Sequence, residues 1–231
     1  MKAMVVCGYV EDAFPARHLS PGKFKELGGR LKAALPGKVI AYDEGWTLNS
    51  CWANLLLHRV PLLAASDPNP PADRYATRYD ALVSNVVLLQ RYAWMALAAA
   101  EHPDVDTFAW LEYSILKQRG VTEKIVQDFI LQVEQYPFDA ISYPGQMAKQ
   151  PFTDDHAHWR FSGSTWVCPR NYASPLFYAV KDVVRLRADL TGHVSWDMNT
   201  AAFVELLDVL PFRWYPGAHD ETQMTNYLKS P

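Results

Sequence analysis

The sequence predicts an α/β protein, a mostly parallel, twisted sheet flanked by helices, in one domain over residues 1–231. Short runs of β-branched and aromatic residues alternate with segments whose apolar residues recur every three or four positions, and that order favours parallel strands with helices on both faces. The composition, 49% hydrophobic and 20% charged over 231 residues, belongs to a chain that can bury one sizeable core. No internal repeat or low-complexity tract interrupts the alternation.

The first strand is the apolar run around Val5 and Val6, between Lys2 and Glu11. Ser20-Pro21 then opens a helix: serine accepts from the orphan amides and proline takes the first helical position. Phe24, Leu27, Leu31 and Ala34 form one face, and Pro36-Gly37 ends it. Gly28-Gly29 falls inside this helix. Lys38 to Asp43 reads as the second strand and Val60 to Ala65 as a third, closed by the proline-rich loop Asp67 to Pro71. From about Thr77 to Glu101, Leu82, Val86, Leu89, Ala93 and Leu97 keep helical spacing, which makes this the longest helix; Pro103 closes it. Thr107 to Leu111 is a strand by its aromatic and apolar content, and Ile125, Phe129 and Val133 mark the helix after it. Strands at Asp139 to Tyr143 and Thr165 to Cys168 follow, then helices from about Tyr172 to Leu190 and Asn199 to Leu210, and a last strand, Phe212 to Tyr215.

Several classes are excluded. Lys and Arg number 22 against 25 Asp and Glu, a net charge of -3, so no overall electropositive field exists to neutralise nucleic-acid phosphates. Cys7, Cys51 and Cys168 are odd in number and form no CxxC pair, which argues against a disulfide framework or a zinc ribbon. No apolar run approaches the ~20 residues of a transmembrane segment, and the N-terminal stretch turns acidic before a signal-peptide core forms, so a cytoplasmic location is expected. Gly-x-Gly-x-x-Gly, Walker and Gly-x-Ser-x-Gly loops are all missing.

In a parallel sheet ligands bind beyond the carboxyl ends of the strands, so residues just after each strand matter most. Glu112, after Trp110-Leu111, is placed where a carboxylate can hold a divalent cation shared with phosphate oxygens; the alternative is a turn cap or a partner for a nearby base. Asp154-Asp155-His156-Ala157-His158 is dense in ligand-type side chains, though a solvated loop explains it as well. Arg160, beside Ser162-Gly163, can grip a phosphate or sugar hydroxyl, or form a structural pair with a carboxylate. In Trp196-Asp197-Met198-Asn199 either Asp197 or Asn199 caps a helix or serves catalysis. His219, next to Asp220 beyond the last strand, is a cation ligand beside Glu112 or a loop histidine.

Taken in order, Tyr79-Asp80-Ala81-Leu82, Phe108-Ala109-Trp110-Leu111-Glu112 and Trp159-Arg160-Phe161-Ser162-Gly163-Ser164 resemble a glycosyltransferase of the GT-A type, most closely the bacterial HtrL/WlaTC-like family. The last segment is similar to that family's Trp-Arg-Phe-x-Gly-Gly, and the N-terminal strand and helix correspond to part of its nucleotide pocket. The resemblance implies transfer of a sugar from a nucleotide-diphosphate donor to a glycan or other hydroxyl acceptor. It implies Glu112 and His219 on a manganese or magnesium ion, contacts from Tyr113, Arg160, Ser162, Gly163 and Trp196 to substrate, and Asp197 as the catalytic base with Asp220 behind it.

The chain departs from the pattern at one place, because Glu112 is followed by Tyr113 and Ser114 where a second acid is usual. One carboxylate lowers metal affinity and leaves three outcomes open: a weakly held cation, no cation, or loss of activity. The missing acid, with Trp46, Trp52 and Trp214 expected at the surface, motivates a second reading as an inactive binding or assembly protein of the same fold. A third is a metal-dependent hydrolase built on Asp154 to His158.

Overall fold

The computed structural model describes residues 1–9, 20–43, 50, 52, 78–150 (backbone alone over 78–85), 158, 160–192 and 194–229. Its strands are β1 (Ala3–Gly8), β2 (Val39–Tyr42), β3 (Thr107–Leu111), β4 (Ile141–Gly145), β5 (Thr165–Pro169) and β6 (Phe212–Pro216). Its helices are α1 (Pro21–Ala34), α2 (Arg78–Glu101), α3 (Glu123–Gln135), α4 (Arg170–Thr191), α5 (Asp197–Leu206) and the short α6 (Thr222–Thr225), with a 3-10 turn at Ile115–Lys117. The strand expected at Val60 to Ala65, the proline-rich loop after it, Trp46, Asp154 to Ala157 and Trp159 lie outside the described residues.

The six strands form one sheet in the order β2-β1-β3-β5-β4-β6. β1 runs parallel to β2 and β3, and β4 parallel to β6; β5 is antiparallel to both β3 and β4. The sheet is therefore mostly parallel, as the alternating order predicts, with one reversed strand near its middle.

Successive residues point to opposite faces, so each strand feeds two cores. Met4 and Val6, Phe108 and Trp110, Ile141 and Tyr143, and Trp166 and Cys168 pack with α2, α4 and α5 on one face. Val5 and Cys7, Ala109 and Leu111, and Val167 pack with α1 and α3 on the other. Both faces are covered, which explains why these strands read as continuous apolar runs. Burial pushes the Cys7 thiol up to about 12 and also raises Cys168, so neither is a thiolate at neutral pH.

Local signals set the helix starts. The Ser20 hydroxyl accepts from the Lys23 amide at 3.3 Å with Pro21 next to it, and the Thr122 hydroxyl accepts from the Ile125 amide at 3.3 Å. α5 starts at Asp197, two residues before the expected Asn199, and Trp196 occupies the N-cap without a side-chain bond. Asp197 thus lies in the first turn, where a negative charge suits the helix dipole. The Asn199 side chain is buried and accepts from the His158 amide at 2.7 Å.

The paired glycines of α1 serve different ends. A Cβ on Gly28 would overlap the Tyr113 ring, whereas one on Gly29 would meet nothing within 4 Å. Gly28→Ala gains about 1 kcal/mol in helix propensity but overpacks a fixed ring at about 1–3 kcal/mol, so the expected result is net destabilisation. Gly29→Ala is expected to stabilise by up to about 1 kcal/mol. Urea unfolding of the two variants reads the difference directly; equal shifts would mean that Tyr113 gives way freely.

Candidate active site

All strands but β5 end at one edge of the sheet, and β5 begins there. Main-chain bonds knit the loops at this edge. The Glu112 amide donates to the Ser164 carbonyl (2.8 Å), the Ser162 amide to the Pro144 carbonyl (2.7 Å), and the Gly217 amide to the Gly145 carbonyl (2.9 Å). A Cβ on Gly145 would approach the Trp214 indole nitrogen to 2.6 Å, and one on Gly217 would lie 2.8 Å from the Pro144 side chain, so both glycines permit this approach. The loop preceding β5 enters the site only because that strand is reversed.

Glu112 extends from the end of β3. One of its oxygens, Oε1, accepts from the Ser114 hydroxyl at 2.8 Å and from the Lys117 ammonium at 2.6 Å. Burial raises the carboxyl, but the Lys117 charge, the bonds from Lys117 and Ser114, and the attraction of His219 outweigh it and hold the group below the usual carboxylate range. The Ser164 hydroxyl lies 3.5 Å from His219 Nδ1. The structure therefore brings Glu112, Ser114, Lys117, Ser164 and His219 together across the ends of β3 and β6.

Asp220 follows His219. The Thr222 hydroxyl lowers its carboxyl most, outweighing slight burial, with the Thr222 amide (3.0 Å) and Arg119 (3.1 Å) adding to the effect. Ser162 donates to Gln223 at 2.7 Å, and the Gln223 amide reaches Gln118, so this serine ties the loop before β5 to α6.

Two buried ion pairs lie beneath the edge. Asp197 pairs with Arg91 of α2, both side chains being almost wholly enclosed, and Arg91 Nη1 donates to the Gly163 carbonyl. A Cβ on Gly163 would stand 2.6 Å from Arg91 Nη1 and 3.1 Å from Asp197 Oδ2, so the main chain rests directly on the pair. Arg160 pairs with Glu205 in a fork, Nε to Oε2 at 2.9 Å and Nη2 to Oε1 at 2.6 Å, while Nη1 donates to the Met147 carbonyl at 2.7 Å. The guanidinium also lies over Phe161 and Trp214, each ring centre 5.1 Å away.

These contacts sort the expected site residues. Glu112 and His219 adjoin, with Ser162 and Gly163 in the next loop. Arg160, expected on a phosphate or sugar hydroxyl, is buried and forked onto Glu205: the structural pairing of the two alternatives. Tyr113, expected at substrate, is buried between Tyr9 and α1, stacks on the Tyr9 ring at 5.6 Å and donates to Asp43 at 2.7 Å. Trp196 is half-buried at the start of α5. Trp52 is buried edge-on to Phe177 and Trp214 is half-covered by Arg160, so neither supplies the exposed aromatic surface expected of a binding protein.

Arg91, Lys117, Glu205 and Gln223 were not singled out by the sequence. Arg91 left a trace, since a cation in the apolar run from Val86 to Ala100 implies a buried partner. Lys117 meets Glu112 through the local turn five residues on, whereas Glu205 and Gln223 are joined to their partners only by the fold.

Among the described residues, no group of three His, Cys, Asp or Glu side chains is placed to hold a metal ion. Glu112 and His219 are two donors, and an ammonium already rests on the first. A dication about 4 Å from that ammonium would meet a repulsion on the order of several kcal/mol, so these residues do not fit a manganese or magnesium ion.

Among the described residues, no helix is long and apolar enough to cross a membrane. No family model matches the sequence, and no curated protein matches it. A solved glycosyltransferase, described as involved in the glycosylation of the major capsid of PBCV-1, is similar in structure at a TM-score of 0.50 and 11% identity, the alignment covering 94% of this chain and 83% of that one. At that identity the likeness concerns fold, and the chain has the mixed α/β fold of a glycosyltransferase.

Proposed function

We propose that the protein transfers a sugar from a nucleoside diphosphate donor to a hydroxyl acceptor. The observation that carries this reading is the meeting of Glu112, Lys117, Ser164 and His219 at the one edge where the strand ends converge, in a glycosyltransferase fold. The narrower likeness to the HtrL/WlaTC-like family, resting on Trp110 to Glu112 and Arg160 to Ser164, forms part of the proposal. So does the GT-A assignment.

In the reaction, the acceptor oxygen bonds to the anomeric carbon as the bond from that carbon to the diphosphate breaks. The electron pair leaves on the terminal phosphate oxygen, and the acceptor proton passes to a base. In this reading Lys117 and Arg119, in the turn after β3, meet the charge that grows on the leaving diphosphate, which is where preorganised positive groups lower a barrier most. Asp220, beside His219 at the site edge, is the base in this reading, held in place by Thr222 and Arg119. Asp197, 1% exposed beneath Gly163 and paired with Arg91, braces the loop before β5 as Arg160 does, and neither touches substrate.

Saturation-transfer NMR against a panel of UDP, GDP and CMP sugars tests the assignment, followed by detection of released nucleotide. The expected result is binding of at least one diphosphate-linked sugar, with slow transfer to water when no acceptor is present. Binding of CMP sugars alone would overturn the diphosphate assignment, and silence across the panel would remove the transferase.

A further inference from the structure

The residues expected to hold a divalent ion already carry a positive charge of the protein's own. We propose that the site binds the diphosphate of its ligand without a metal, with the Lys117 ammonium in the position of the cation and the exposed Arg119 guanidinium beside it. This inference rests on the transferase reading and specifies how that site recognises its ligand.

Three observations lead to it. Lys117 stands at the end of the 3-10 turn that follows β3, and its Nζ sits 2.6 Å from Glu112 Oε1, the oxygen that Ser114 also contacts. Glu112 thus orients an ammonium at the mouth of the strand. The Lys117 side chain is one-third exposed, and its ammonium lies 5.5 Å from the centre of the Phe24 ring, so an apolar surface supports the stem while the head remains accessible.

The second cation comes from the same loop. Arg119 is 86% exposed and forms a bridge to Asp220, which holds the His219 segment against the turn that carries Lys117. The main chain repeats the contact, the Glu221 amide donating to the Arg119 carbonyl at 3.1 Å. A diphosphate entering here meets an ammonium as a point charge and a guanidinium able to bond two oxygens at once.

The third observation is the donor set, in which Glu112 and His219 find no third ligand among the described residues. The position after Glu112 that would carry a second acid is Ser114, and its hydroxyl donates to Glu112. Every contact to that oxygen is therefore from a donor, which is how a carboxylate is satisfied when no metal shares it. Neither oxidation nor proton transfer is involved: the ammonium and guanidinium neutralise the departing diphosphate and remain protonated.

Calorimetry of the full chain with UDP and with GDP, first in EDTA and then in manganese, tests the inference. Affinities within about twofold between the two buffers are expected, because the positive charge is built in. Lys117→Met should weaken binding by about tenfold or more, and Lys117→Arg should retain it within about threefold. Glu112→Gln should tighten it by about threefold, since the carboxylate competes with the ligand for the ammonium. A thermal melt of each variant confirms that it is folded.

Binding that requires manganese and vanishes in Glu112→Gln would overturn the metal-free site and leave the transferase reading standing. Unchanged affinity in Lys117→Met would overturn the role of this lysine. No binding of either nucleotide in either buffer would overturn the transferase reading and this inference together.

Discussion

Arg160→Met is expected to lower stability by about 3–5 kcal/mol, with a fall in Tm on the order of 10 °C. The guanidinium and Glu205 are each more than nine-tenths enclosed, and removing one partner strands the other's charge away from water. The Met147 carbonyl loses its donor as well, and Phe161 and Trp214 lose the cation between them. Arg160→Met with Glu205→Leu should recover most of the loss, because a buried ion pair is worth little more than apolar side chains of similar volume. Urea unfolding of the two singles and the double completes the cycle. A stable single variant whose only defect is a raised KM would return Arg160 to the substrate.

Asp197→Asn should cost a similar amount, about 3–5 kcal/mol, because it leaves the Arg91 guanidinium enclosed without its counter-charge. Turnover per folded molecule should stay within about tenfold, since the pair lies beneath the main chain, whereas Asp220→Asn should lower it by about 10²–10⁴-fold, the usual yield of a positioned base. Arg91→Met should likewise lose stability and keep most of the turnover. The two quantities are separable by denaturant titration and by nucleotide release measured well below the melting temperature. A fall of about 10²-fold or more in folded Asp197→Asn would return the base to Asp197.

What the sequence made legible was local. β3 matches its expected bounds because Phe108 to Leu111 is an unbroken apolar and aromatic run between two acids, Asp106 and Glu112, and the start of α1 was written in Ser20-Pro21. Periodicity placed α2 and α3; α3 buries one stripe, Val126, Phe129, Ile130 and Val133, against the sheet, whereas the described side chains of α2 are enclosed nearly all round. β4 lay slightly off, running on to Gly145, since Pro144 and Gly145 are accepted where the strand pairs with β6 at the site.

Direction was not legible. Nothing in Thr165 to Pro169 records that it runs against its neighbours, because direction is set by where the preceding chain emerges. The same blindness concealed the partners of the charges. Arg160 and Glu205 are 45 residues apart, so spacing could offer a choice between phosphate and carboxylate without deciding it. The resemblance implies Tyr113 at substrate, yet adjacent residues at a strand end diverge, and its ring went to the core against Gly28.

The reversed strand has a consequence for how this chain is made. β2, β1 and β3 pair on one side of it and β4 and β6 on the other, and among the described strands only β5 pairs with both groups. During synthesis β3 and β4 emerge before it, each with an open edge and apolar residues on both faces. Until residues 165–169 leave the ribosome and insert, those edges are competent to pair with another copy of themselves. The strand that carries the loop over Arg91 and Asp197 to its place also closes the gap through which a half-made chain would aggregate.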